Sequence, residues 1–232
     1  MKTITIGDPH GRDQWKEIIA KAGEFDKVVF IGDYFDSYDL SAKVQMKNFK
    51  EIIAYKKKFP NKVVLLYGNH DLHYLIAGEQ YSGYQLRYQY MIETLLRDAQ
   101  DLLQVAFEAD GVLYTHAGVT KTWAADHNIG TVYVSQRLND TYLGEYSFSR
   151  EGDCDRGGND IFQSPMWVRP DSLSVDLIDD YDQVVGHSER NRIEIMEGGR
   201  ITIIDSPNSY EYLEVTDGTK KIIKFKYDIY AV

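Results

Sequence analysis

Short apolar runs separated by amphipathic segments open the chain. KTITI (2–6), KVVFI (27–31) and KVVLLY (62–67) are brief and mostly β-branched or aliphatic, and they predict strands. Between them, apolar positions recur at helical spacing from about Asp13 to Ala22 and from about Leu40 to Lys58. Such alternation predicts parallel strands joined by right-handed helical crossovers, hence an α/β fold. The helical period returns in YQLRYQYMIETLLRDAQDLL (84–103), which predicts the longest helix.

The second half has a different rhythm. VAFEA (105–109) and GVLYTHAG (111–118) predict paired strands about a tight turn at Asp110-Gly111. Residues 119–142 predict interrupted helix, and 144–165, rich in Gly, Asp, Asn and Ser, predict a long loop of the kind that is usually functional. The rest, QVVGHS, RIEIME, RITIID, YEYLEV and KKIIKFKY, predicts successive strands. Without repeat, low-complexity tract or interdomain linker, residues 1–232 are expected to form a single domain.

Composition narrows the partners. With 26 Lys and Arg against 36 Asp and Glu, the net charge of −10 disfavours nucleic-acid duplexes and anionic membranes as partners. A phosphorylated substrate stays compatible, because bound metal can reverse the local field. The lone Cys154 excludes an internal disulfide framework and a thiolate-rich metal site, and is read as an ordinary thiol. MKTITIG enters a strand at once and no apolar run reaches membrane length, so a cytoplasmic location is expected.

Polar residues are not scattered but fall where apolar runs stop. KTITI ends in GDPHG (7–11), KVVFI in GDYFD (32–36) and KVVLLY in GNHD (68–71), while THAG (115–118) and VVGHS (184–188) repeat the pattern. Parallel strands of one sheet end at the same edge, where α/β folds build their sites. Five distant segments would thus deliver Asp8, His10, Asp33, Asp36, Asn69, His70, His116 and His187 to one place. Carboxylate, imidazole and amide oxygen without thiolate suit manganese, iron or zinc. Four of the six histidines lie in these clusters; His73 and His127 are read as ordinary helix or surface residues.

GDPHG, GDYFD, GNHD, THAG and GHS together resemble the calcineurin-like metallophosphoesterases, and within them the small bacterial and phage form of the serine/threonine phosphoprotein phosphatases. The resemblance implies two sheets packed as a sandwich between helices, a four-layer fold, with two divalent or trivalent metal ions, manganese first and iron or zinc as alternatives. It implies Asp8 and His10 on the first ion, Asp33 bridging both, and Asn69, His116 and His187 on the second. His70, held by Asp36, would protonate the leaving group while a metal-bridging hydroxide attacks phosphorus.

Departures from the family pattern matter. Ser37 and Tyr38 stand where an Arg-Gly usually follows GDxxD, Asp71 replaces a usual Glu, and Glu189 stands where the wider superfamily has a further histidine. The phosphate clamp is therefore assigned to Arg169 of SPMWVRP ahead of Arg12, with Arg150, Arg156 and Arg190 behind them. Substrate selectivity is placed on loop 144–165 and segment 81–90, although the tyrosines of YSGYQLRYQY also read as simple packing. The expected activity is a serine/threonine phosphatase-like phosphomonoesterase. A symmetrical diadenosine tetraphosphatase or other nucleotide phosphohydrolase is the alternative, and an inactive metal-binding scaffold a remote one. Oligomeric state stays open.

Overall fold

The computed structural model describes residues 1–152 and 155–225, without the side chains of residues 155 and 156. Cys154, the Arg156 side chain and the end of KKIIKFKY lie outside the described residues. The strands are β1 Lys2–Ile6, β2 Lys27–Phe30, β3 Val63–Leu66, β4 Leu103–Gln104, β5 Ala106–Ala109, β6 Val112–Thr115, β7 Asp182–Val185, β8 Glu194–Met196, β9 Ile201–Ile203, β10 Glu211–Thr216 and β11 Thr219–Lys224. The helices are α1 Gln14–Lys21, α2 Ala42–Lys58, α3 Asn69–Leu72, α4 Gln89–Asp98, α5 Lys121–Asp126, α6 Val134–Asp140, α7 Asp155–Gly158 and α8 Pro170–Val175. No helix among the described residues is long and apolar enough to cross a membrane.

A six-stranded sheet runs β11-β10-β1-β2-β3-β4, with β1 to β4 mutually parallel. A five-stranded sheet runs β5-β6-β7-β9-β8, with β6, β7 and β9 parallel. The period-two alternation of side chains explains how the two sheets face each other. Val29, Ile31, Val64 and Leu66 of the first sheet bury against Val112, Tyr114 and Val184 of the second. The intervening residues Val28, Phe30, Val63 and Leu65 point the other way, onto Trp15, Ile18, Met46, Phe49, Ile52, Ile92 and Leu96 of α1, α2 and α4. Val185, Ile201 and Ile203 cover the far face of the second sheet with Leu173 and Leu177 near α8. The four-layer α/β sandwich expected from the motifs is thus the fold observed.

The hairpin at Asp110-Gly111 forms as read, both residues adopting positive φ (51° and 77°). Segment 84–103 does not form the longest helix; that is α2, of 17 residues. Only Gln89–Asp98 is α-helical, between short 3-10 turns at Leu86–Tyr88 and Gln100–Leu102. Two tertiary demands override the helical period. Gln85 donates its N–H to the Tyr74 hydroxyl (2.9 Å), pinning the start, and Leu103 must pair with Leu65 at the sheet edge.

Candidate active site

The parallel strands converge their C-terminal ends, so each polar cluster leaves its sheet at the same edge. Four clustered residues adopt left-handed backbone: His10 (φ 42°), Asp33 (58°), Asp36 (65°) and His187 (60°). Non-glycine residues hold such conformations only where surrounding structure imposes them, commonly at functional sites. Two glycines are dictated by close approach. A methyl on Gly186 would collide with Asp8 Oδ1, and one on Gly68 with the Asp33 carboxylate.

Three histidines share one device. His116 Nδ1 lies 3.0 Å from the Ile31 carbonyl, His187 Nε2 3.1 Å from the Trp167 carbonyl, and His10 Nδ1 against the Phe35 carbonyl. A carbonyl accepts only, so each of these nitrogens carries the proton. Burial lowers all three pKa values, so the rings are neutral and their other nitrogens are bare. Those bare nitrogens face oxygens. His116 Nε2 is 2.8 Å from Asn69 Oδ1 and 3.5 Å from Asp33 Oδ2; His187 Nδ1 is 3.0 Å from Asn69 Oδ1; His10 Nε2 is 3.6 Å from Asp33 Oδ2. At Asp33, which can only accept, lone pairs face lone pairs, an arrangement that a cation between them relieves.

Asp8 points to the same need. Its Oδ1 is buried without a hydrogen-bond partner among the described residues, and Asp8, His10 and Asp33 present ligand atoms within 4.8 Å of one another. Burial, then the charges of Asp205 and Asp33, push the Asp8 pKa well up. The donor set therefore fits metal, and Asp33 Oδ2 faces both groups. Asp33 Oδ1 accepts the His70 N–H (2.9 Å). Burial raises the Asp33 pKa, but the histidines gathered around it, His70 among them, outweigh that and hold this carboxylate below its usual range.

His70 and Asp36 meet as the motifs imply, with Nδ1 3.0 Å from Oδ2. The Tyr74 hydroxyl donates to Asp36 Oδ1 at 2.5 Å. Burial disfavours the His70 imidazolium, yet Asp33 and Asp36 carry its pKa up to about 9. In the metal-free protein we expect the His70 ring protons, followed by NMR, to titrate near that pH. Folding raises this pKa from 6.5, so the stability it contributes is full below about 6.5 and is lost as pH rises through about 9. Metal loading should move the midpoint down, because nearby cations repel the imidazolium. A midpoint near 6.5 without metal would show that Asp33 and Asp36 do not act on this ring.

His73 corrects the reading of an ordinary histidine. It is buried, with Nε2 2.6 Å from Asp36 Oδ2. Its partner comes from another motif, and nothing in the spacing of GNHDLH announces it. His127 does behave ordinarily, stacked on Trp123. Asp71, given no role from the motifs, is fully buried and accepts three backbone N–H groups, from Asp33, Tyr34 and Gly68, each at 2.9 Å. It ties the second and third strand-end loops together. Asp205 was also missed, although RITIID ends in an acid just as the other runs end in polar groups. Burial, then Asp33 and Glu189, raise its pKa to about 7.

The arginines separate clearly. Arg169 Nε donates to the Gly157 carbonyl (3.1 Å), and its Nη1 to the His187 carbonyl and Ser188 Oγ (both 3.2 Å). Burial lowers its pKa, while Asp33, Asp205 and Asp8 favour its charge. Arg12 instead reaches an exposed Asp39 at 3.3 Å, and Arg190 Nε pairs with Glu194 at 2.6 Å. The tyrosines of segment 81–90 divide as well. Tyr84 packs on Tyr74 and Tyr81 on Trp167, whereas Tyr90 is exposed. Trp167 lies edge-on to His187 (5.8 Å) and meets Phe148 of the long loop, forming an aromatic wall beside the site.

Comparison with known proteins agrees with this geometry. The family model of the calcineurin-like phosphoesterases matches residues 1–188. The chain belongs to the calcineurin-like phosphoesterases. A "Probable serine/threonine-protein phosphatase" of Encephalitozoon cuniculi (strain GB-M1) is 28% identical over 158 residues, covering 62% of this chain and 32% of the relative. The phosphoesterase thus spans about a third of that relative's length. Among solved structures, the cold-active protein-tyrosine phosphatase of a psychrophilic Shewanella sp. superposes with a TM-score of 0.60 at 18% identity, over 96% of this chain and 80% of that one. A Saccharomyces cerevisiae protein serine/threonine phosphatase gives 0.59 at 16% identity, over 98% and 81%. At such identities the two structures support the fold alone.

Proposed function

We propose that this phosphoesterase is a two-metal phosphomonoesterase acting on serine/threonine phosphoprotein-type substrates. The observation that carries the reading is the sharing of Asp33 Oδ2 between two donor groups, with His10 Nε2 3.6 Å away on one side and His116 Nε2 3.5 Å away on the other. Asp8, His10 and Asp33 would hold one ion; Asp33, Asn69, His116 and His187 would hold the other. Bound there, the pair would supply positive charge for the phosphate and hydroxide at neutral pH. Nitrogen and oxygen donors without sulfur suit manganese, with iron or zinc fitting the same set.

The remaining roles belong to side chains of the chain itself. An alkoxide leaving group is too basic to depart unprotonated, and His70, kept cationic by Asp33 and Asp36, supplies that proton. Arg169 orients the phosphate through the guanidinium edge not engaged with Gly157, His187 and Ser188, so it is favoured over Arg12. Substrate selectivity falls to the wall of Tyr81, Phe148 and Trp167, where segment 81–90 meets loop 144–165. The acidic charge and lone cysteine fit a cytoplasmic setting.

The half-buried Tyr81 and Phe148 of the same wall support a second reading, a diadenosine tetraphosphatase or related nucleotide hydrolase, since aromatic faces stack bases. Assaying a phosphoserine peptide beside diadenosine tetraphosphate with added Mn²⁺, and counting bound metal by mass spectrometry, separates the two. Phosphate released from the peptide, without nucleotide products from the dinucleotide, is the expected result. The reverse pattern would install the nucleotide reading. Two bound metals with no turnover of either substrate or of p-nitrophenyl phosphate would leave an inactive scaffold.

A further inference from the structure

Asp36 is surrounded more completely than a partner for one histidine requires. His70 Nδ1 (3.0 Å) and His73 Nε2 (2.6 Å) both approach its Oδ2, and Tyr74 donates to Oδ1 (2.5 Å). His73 reaches the carboxylate off hydrogen-bond alignment, and neither of its ring nitrogens has an aligned partner among the described residues. A buried polar group left unpaired is destabilising. Asp36 is the acceptor beside it, its Oδ2 2.6 Å from Nε2.

The ring's surroundings leave little other freedom. Tyr74 (4.6 Å, edge-on), Tyr84 (4.9 Å, edge-on) and Tyr81 (6.2 Å, stacked) enclose it. Asp36 meanwhile sits in left-handed backbone, with Gly83 packed against its Cβ. A carboxylate in so constrained a place depends on its neighbours for its rotamer.

We infer that His73 is a positioning residue: with Tyr74 it fixes the Asp36 carboxylate independently of His70, so that Asp36 stays aimed while His70 gives up and regains its proton. This rests on the phosphomonoesterase reading for His70, and goes beyond it by assigning a second imidazole to the same acid. His73 touches neither substrate nor metal in this scheme.

The test compares leaving groups. His73→Leu removes the donor at similar volume; His73→Gln returns an N–H near the Nε2 position. We expect His73→Leu to lower kcat about 10-fold on a phosphoserine peptide but less than about 2-fold on p-nitrophenyl phosphate, whose leaving group needs no proton, and His73→Gln to recover most of the loss. Equal losses on both substrates, or a Gln variant no better than Leu, would overturn the inference. A readout free of turnover runs beside it. The Asp36 carboxyl carbon, followed by NMR, should titrate at higher pH in His73→Leu than in wild type and return in His73→Gln; an unchanged titration also overturns it. Wild-type protein that hydrolyses neither substrate would sink the phosphomonoesterase reading instead, leaving the NMR comparison to decide on His73.

Discussion

Asp33→Asn is expected to cost at least one bound metal per chain and to lower turnover at least about 10³-fold, the largest effect of any single change at this site. The substitution is nearly isosteric and leaves Oδ1 able to accept the His70 N–H (2.9 Å). What it removes is the anionic Oδ2 that faces both His10 and His116. An amide in that place is neutral, and offers a donor or a single weaker oxygen where two cations need a shared anion. The fold itself should not suffer. Asp33 also raises the pKa values of Asp8, Asp71 and Asp205 through like charge, so neutralising it relieves repulsion in the metal-free state. Thermal melts with and without excess Mn²⁺ would therefore diverge. Wild type gains about 4 kcal/mol at a thousand-fold excess over Kd, whereas the variant gains much less. Two metals per chain in Asp33→Asn, by mass spectrometry, would remove Asp33 as the shared ligand.

The legibility of this site has a simple physical basis. Asp8, Asp33 and Asn69 follow parallel strands of one sheet and His116 and His187 parallel strands of the other, so strand direction gathers each set at a sheet edge, and the face-to-face packing of the sheets joins the two. His73 and Asp71 were not legible because their roles depend on what packs against them from 37 or 38 residues away. Asp36 reaches His73, and the backbone of Asp33 and Tyr34 reaches Asp71. The shorter Asp at position 71 still serves as acceptor for three amides, which explains how this chain tolerates a departure in its most specific motif. Segment 84–103 failed for a related reason. Its periodicity describes a face, but the hydrogen bond from Gln85 to Tyr74 and the sheet edge at Leu103 decide where helix begins and ends.

His70→Ala should leave both metals bound while lowering turnover of a phosphoserine peptide at least about 10²-fold. The ring packs edge-on against His10 (5.4 Å) but hydrogen-bonds to no metal ligand; it is the His70 backbone N–H, which alanine keeps, that donates to Asp33 Oδ1. Its imidazole is fixed by Asp36 on one side and is the most open part of that pair, with 16% of the side chain exposed against none for Asp36. A proton donor needs this arrangement: one nitrogen anchored in the interior, the other free to meet a substrate oxygen. Three consequences distinguish proton donation from damage. The loss should shrink on p-nitrophenyl phosphate, which departs without a proton. Added imidazole should restore part of the activity by entering the vacated space. The alkaline limb of kcat should vanish in the variant, since in wild type it records His70 deprotonating at or below about 9, where the surrounding carboxylates set it before metal is added. Undiminished turnover on the peptide, with metal content intact, would take His70 out of the reaction and leave protonation of the leaving group to water.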